Sequence, residues 1–173
     1  MDFNELNKKL KEMEDKEKHN SLNFNVIKTD EEFKKNYKQH DKGTELLSLE
    51  LFKKRFQIIP MGEDLREQKV IFDNETPDYV IKKNNTQIAY DVKTKKSPKY
   101  FGWVNEKALK SYQNFEKETG IKTYAFFIQV EDNKIINLGY SNIFDKIVSI
   151  EKAWDGNKVV VLEWKGGFPS EIN

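Results

Sequence analysis

The sequence predicts an α/β fold: a mixed central β-sheet flanked by helices, with an extra charged helix at the N-terminus. Three observations carry that expectation. Residues 2–18 and the stretch from Gly43 to Arg55 space their apolar side chains at helical intervals. Residues 56–93 and 122–164 hold β-branched and aromatic runs separated by Asn, Asp and Gly. One helical stretch lies between these two strand regions. Helices, strands, a helix and further strands read as a two- or three-layer arrangement around a mixed sheet.

The elements follow in order. Phe3, Leu6, Leu10 and Met13 form a thin apolar stripe on a highly charged helix over 2–18. Such a helix either packs on the domain edge or contacts a partner. Thr29 or Asp30 caps a short helix through about Gln39, with Glu31 and Glu32 in its first turn. Gly43 and Thr44 open a third helix, whose apolar face includes Leu46, Leu47, Leu49, Leu51 and Phe52. Residues 56–61 read as a short strand ended by Pro60 and Gly62, and 67–72 as another. Residues 77–83 and 86–93 are two strand-like runs around Asn84-Asn85, and Asn tolerates the positive φ of a tight hairpin. A basic loop follows over 95–99.

Residues 104–119 form a helix with Ala108, Leu109, Tyr112 and Phe115 on one side and Gly120 as its C-cap. Residues 122–130 and 134–140 are strands about Asp132-Asn133. Asn142 is expected to cap a helix carrying Ile143, Phe144, Ile147 and Val148. Residues 158–164 form the last strand, and the end after Gly166-Gly167 reads as loose. The organisation expected is an N-terminal helical extension over 1–40, one α/β domain over 41–165 and a tail over 166–173.

Composition narrows the chemistry. The 173 residues are 37% hydrophobic and 13% aromatic, enough to build a core and too aromatic for a disordered chain. Thirty Lys and Arg face 29 Asp and Glu, so a uniformly polybasic surface is excluded while a local basic site is not. With no cysteine, disulfides, thiol catalysis and thiolate-bound zinc are excluded. No apolar run approaches the ~18 residues of a membrane span. The expectation is a soluble protein of the cytoplasm, or of a host's cytoplasm if viral.

The hairpin carries the chemistry. With Asn84-Asn85 as its loop, Asp78 sits opposite Asp91. Alternation then puts Asp78, Asp91 and Lys93 on one face, with Ile88, Tyr90 and Val92 on the other. Two carboxylates directly across a ladder, with Cβ atoms about 4.5–5.5 Å apart, repel each other. A divalent cation would remove that cost, and Mg²⁺ favours hard oxygen ligands. Lys93 would then stand where an ammonium can orient water and stabilise phosphoryl charge. The alternative is a solvated sheet face on which Lys93 neutralises the two aspartates.

Pro77-Asp78, followed by Asp91-Val92-Lys93 on the next strand, resembles the motif of the PD-(D/E)XK nuclease superfamily. The helix GTELLSLELFKKRF before it and the run YDVKTKKSPKY are similar to those of archaeal Holliday junction resolvases and restriction-endonuclease-like enzymes. The resemblance spans about residues 42–130. It implies a restriction-endonuclease-like sheet and a Mg²⁺-dependent endonuclease acting on DNA, with Mn²⁺ as a substitute. By that resemblance Asp78 is the central metal-binding aspartate, Asp91 the second acidic ligand and Lys93 the catalytic lysine. Glu45 matches the helix glutamate that completes the metal shell, and Glu50 competes with it. Gln113 matches a glutamine found in only some subfamilies. The 57–76 region is longer than in compact resolvases. Resolution of a branched junction would require a homodimer.

Local charge agrees with a phosphate partner. Residues 82–110 hold eight lysines against two acidic residues, a balance of +6 within a chain of +1. Lys95, Lys96 and Lys99 follow the motif strand and are interleaved with aromatic Tyr100, Phe101 and Trp103, rings able to stack on bases. A lysine-rich surface loop anchored by aromatics is the other reading. A binding module without catalysis, on the same fold, would keep the basic loop.

Overall fold

The computed structural model describes residues 4, 5, 7, 8, 11, 47, 54, 56–61, 76–95, 100–131, 134–153 and 156–173. These contain strands β1 (Gln57–Pro60), β2 (Tyr79–Lys83), β3 (Thr86–Lys95) and β4 (Phe101–Asn105), then helix α1 (Glu106–Thr119). Strands β5 (Lys122–Glu131), β6 (Lys134–Asn142), β7 (Ile147–Lys152), β8 (Lys158–Glu163) and β9 (Lys165–Gly166) follow, with a 3₁₀ turn at Ser170–Ile172.

The strands form two sheets: a six-stranded one in the order β1-β2-β3-β5-β6-β9 and a three-stranded one in the order β4-β8-β7. The larger sheet is mixed, because β3 and β5 run parallel while its other pairs are antiparallel. The chain between β3 and β5 carries β4 and α1, the long crossover that a parallel pair requires. The mixed sheet is as expected; the second sheet is not.

The β2–β3 hairpin has the expected register. Asn84 takes φ 54°, and the ladder runs from Lys83 opposite Thr86 to Tyr79 opposite Tyr90. Its charged face is not solvated, however. One apolar core, including Ile81, Ile88, Tyr90, Val92 and Phe126, covers one side of the large sheet. A second core, which brings together α1, Ala125 and Phe127 of β5, and the three-stranded sheet, covers the other. Ala89 and Asp91 are therefore as buried as their neighbours.

Helix α1 begins two residues later than the sequence suggested. Phe101–Asn105 pair with β8 instead, and the Asn105 side chain accepts the Lys107 N–H at 2.9 Å as a cap. Gly102 is required there, because a Cβ at that position would run into the Phe127 ring. Gly120 closes the helix at φ 71°, as expected.

Two expectations are corrected. Asn142 does accept the Phe144 N–H at 2.7 Å, but only a turn follows. Ile147, Val148 and Ile150 enter β7, where β-branched side chains fit a pleated ladder better than a helix. The end of the chain is not loose either. Phe168 and Ile172 are buried, and the Glu171 carboxylate takes both the Lys122 ammonium at 2.8 Å and the Tyr124 hydroxyl at 3.0 Å. Burial alone would raise the Glu171 pKa. Hydrogen bonds from Lys122, its own backbone and Tyr124 outweigh burial and bring it down to about 2.

Helical residues 4, 5, 7, 8 and 11 belong to the expected N-terminal helix. Asn7 ties it to β6: its amide donates to the Ile135 C=O at 2.8 Å and accepts the Ile135 N–H at 2.7 Å. Leu47 is helical and buried in the first core. The helix through Gln39, the strand over 67–72 and the Asp132-Asn133 turn lie outside the described residues. Among the described residues no helix is long and apolar enough to cross a membrane.

Candidate active site

Asp78 lies one residue before β2, held by two neighbours. Its C=O accepts the Met61 N–H at 2.9 Å, which extends the β1–β2 ladder past Pro60. Its carboxylate Oδ2 accepts the Val92 N–H at 3.1 Å. That bond reaches the strand carrying Asp91, and it follows from the hairpin register, which opposes residue 78 to residue 91. Both aspartates are buried, at 4% and 1% exposure.

Asp91 stands in the middle of β3, opposite Ala125 of the parallel strand β5. Ala89, on the same face, and Ala125 present only methyl groups, leaving room for the helix above to reach the carboxylate. The Tyr112 hydroxyl of α1 donates to Asp91 Oδ1 at 2.9 Å. Lys93 Nζ forms an ion pair with Asp91 Oδ2 at 2.7 Å. The Lys93 side chain keeps 23% exposure against 2% for its partner, so this edge of the cluster reaches the surface.

The structure thus joins Asp78, Asp91 and Lys93 on one sheet face, as the alternation predicted. A buried carboxylate without donors is costly, and here each aspartate has at least one. The cluster thus brings two buried carboxyl groups and one ammonium together at the end of the hairpin. Asp78 and Asp91 supply hard oxygen donors of the kind that Mg²⁺ takes. Among the described residues, no group of three His, Cys, Asp or Glu side chains forms a complete cation site.

The remaining candidates are placed differently. Glu45, Glu50, Lys96 and Lys99 lie outside the described residues, and Lys95 is the last residue of β3. Tyr100 sits at φ 70°, 39% exposed, with its ring edge-on to Trp164 at 5.4 Å and its C=O accepting the Trp164 N–H at 2.9 Å. Phe101 and Trp103 belong to β4 rather than to a loop. Gln113 donates to the Ile143 C=O at 2.8 Å, tying α1 to the turn before β7.

Tyr112 is the site residue that the sequence reading missed. Its helical spacing with Ala108 and Leu109 made it one more apolar position. The available signal was chemical: a tyrosine on a buried helix face needs a partner for its hydroxyl, and a nearby buried strand carries an acid.

The two sheets and their crossover define a mixed α/β fold, and Asp78 and Asp91 are the buried acids among its described residues. In comparisons with known proteins, no family model and no curated protein sequence matches the chain. Among solved structures it is similar to Hjc, a Holliday junction resolvase from the archaeal hyperthermophile Archaeoglobus fulgidus. The TM-score is 0.50 at 16% sequence identity, over 72% of this chain and 84% of that one. At that identity the likeness is one of fold.

Proposed function

We propose that the chain is a metal-dependent endonuclease of the PD-(D/E)XK kind that hydrolyses DNA phosphodiester bonds, by junction resolution or restriction-like cleavage. The observation that carries this reading is the burial of Asp78 and Asp91 on one face, with the partly exposed Lys93 paired to Asp91. The resolvase-like fold supports it. Two buried acids side by side supply the hard oxygen ligands that a divalent cation takes. Asp78 and Asp91, with Glu45 as the third carboxylate, would hold Mg²⁺, or Mn²⁺ in its place. When bound, the ion would supply Lewis acidity at the scissile phosphate and a more acidic water.

The protein's own groups do the rest. Lys93 orients the attacking water and stabilises charge developing on the phosphoryl oxygens. The Val92 N–H fixes the Asp78 carboxylate, and Tyr112 fixes that of Asp91. Lys95, Lys96, Lys99 and Tyr100 grip the nucleic acid beside the cut. The setting for such an enzyme is the cytoplasm, its own or a host's.

The test is cleavage of plasmid and branched DNA with and without Mg²⁺. Expected is metal-dependent cleavage that falls by at least about a hundredfold in Asp78→Ala and Lys93→Ala. Absence of cleavage, or full activity in either variant, overturns the mechanism. One observation favours a second reading, a non-catalytic nucleic-acid-binding module. The Lys93–Asp91 ion pair supplies a counter-charge to one of the carboxylates. In calorimetry with Mg²⁺, such a module would show DNA binding without uptake of the ion.

A further inference from the structure

The outer sides of β6 and β7 are treated differently. On the outer side of β6, strand β9 pairs with Gly139 and Tyr140, and the Asn7 amide takes both backbone groups of Ile135. Strand β7 ends the three-stranded sheet with no further strand beyond it among the described residues. It also carries the three most exposed large apolar side chains of the described chain: Ile147, Val148 and Ile150, at 46%, 56% and 59%. An exposed apolar edge strand is a template for another strand.

The β7 sequence selects its own copy as that strand. Turned antiparallel on itself about a two-fold axis between Val148 and Ser149, it places Lys146 opposite Glu151 and Ile147 opposite Ile150, each twice. Charge meets opposite charge and apolar meets apolar, the pairs that stabilise adjacent strands. The register shift in the β7–β8 ladder makes this consistent. Ile147 pairs with Leu162 and Ile150 with Val160, so both isoleucines point to the face that carries the second core. Without that shift, residues 147 and 150 would lie on opposite faces.

We infer that β7 is the contact of a two-fold dimer of this chain, in which two three-stranded sheets join antiparallel into one of six strands. The inference is independent of the nuclease reading, because it needs neither DNA nor metal.

Analytical ultracentrifugation of the full chain, without nucleic acid, tests it. The expected species is a dimer. Ile150→Lys, at an exposed position, places two ammonium groups in the contact and should weaken the dimer about a hundredfold or more. Its melting temperature at a concentration where both proteins are monomeric should match that of the parent. Lys146→Glu and Glu151→Lys should each weaken the dimer about tenfold, and combining them should restore it. Glu151 also accepts the Trp103 Nε1–H at 3.2 Å, so recovery in the double exchange reads the pairing itself. A monomeric parent chain, a dimer indifferent to Ile150→Lys, or a double exchange no stronger than its single changes overturns the inference.

Discussion

Both faces of β3 are buried over Ile88–Val92, yet they are held by different physics. On one side Ile88, Tyr90 and Val92 meet Phe126 and the rest of an apolar core, where the geometry is that of close packing. The Tyr90 and Phe126 rings, for example, lie edge to face at 5.4 Å. On the other side Asp91, one residue away from two of these, depends on specific donors: one hydroxyl and one ammonium. The first face stabilises through area and volume, which many side chains could supply. The second is stable only while particular atoms stay within about 3 Å of each other. The site is thus a polar inclusion in a position that would otherwise be core, and its members are coupled in a way that core residues are not.

Breaking the apolar face should have the largest effect on stability. Phe126→Ala is expected to cost about 3–5 kcal/mol, read as a lower midpoint in urea unfolding. A loss below about 1 kcal/mol would mean that this core repacks freely. On the polar face, Tyr112→Phe keeps the ring and removes only the donor to a buried carboxylate. About 1–3 kcal/mol should be lost in the same measurement. No loss would show that Asp91 does not rely on α1.

The smallest effect lies at the end of the chain, where a third arrangement combines both principles. Phe168 and Ile172 pack, and Glu171 is held by Lys122 and Tyr124. The folded-state pKa of Glu171, about 2, lies below its ordinary value of 4.5. The carboxylate therefore contributes stability above pH 4.5 and loses it as pH falls towards 2. Glu171→Gln should flatten the melting-temperature profile between those values and leave the site face unchanged. A parallel, undiminished acid slope in the variant would assign it to other groups.

Much of the site face was legible in the sequence because a hairpin is a local object. Asn84-Asn85 fixes the register, and alternation then settles which side chains share a face. What a face packs against is set by distant segments. A solvated face stays open as the alternative for Asp91 because nothing near it in sequence predicts that α1 and a second sheet lie above. Tyr112 was misread for the same reason, since helical periodicity distinguishes inside from outside but not core from site. Asn142 misled differently. Its side chain makes the capping contact with Phe144, but the β-branched residues beyond it pair with β8, and tertiary pairing prevailed over the local signal.

The parallel pairing of β3 with β5 also sets an order of assembly. Asp78 and Val92 lie 14 residues apart within a single hairpin, so the first bond of the site closes a short loop. Ile88 opposes Lys122 across a loop of more than twice that length, which contains β4 and α1. Loop-closure entropy favours the shorter connection. On that entropy the hairpin is expected to bring the two aspartates together first, with the Tyr112 hydroxyl reaching Asp91 when α1 docks. In that order the desolvation of Asp91 would coincide with the arrival of the donor that compensates for it.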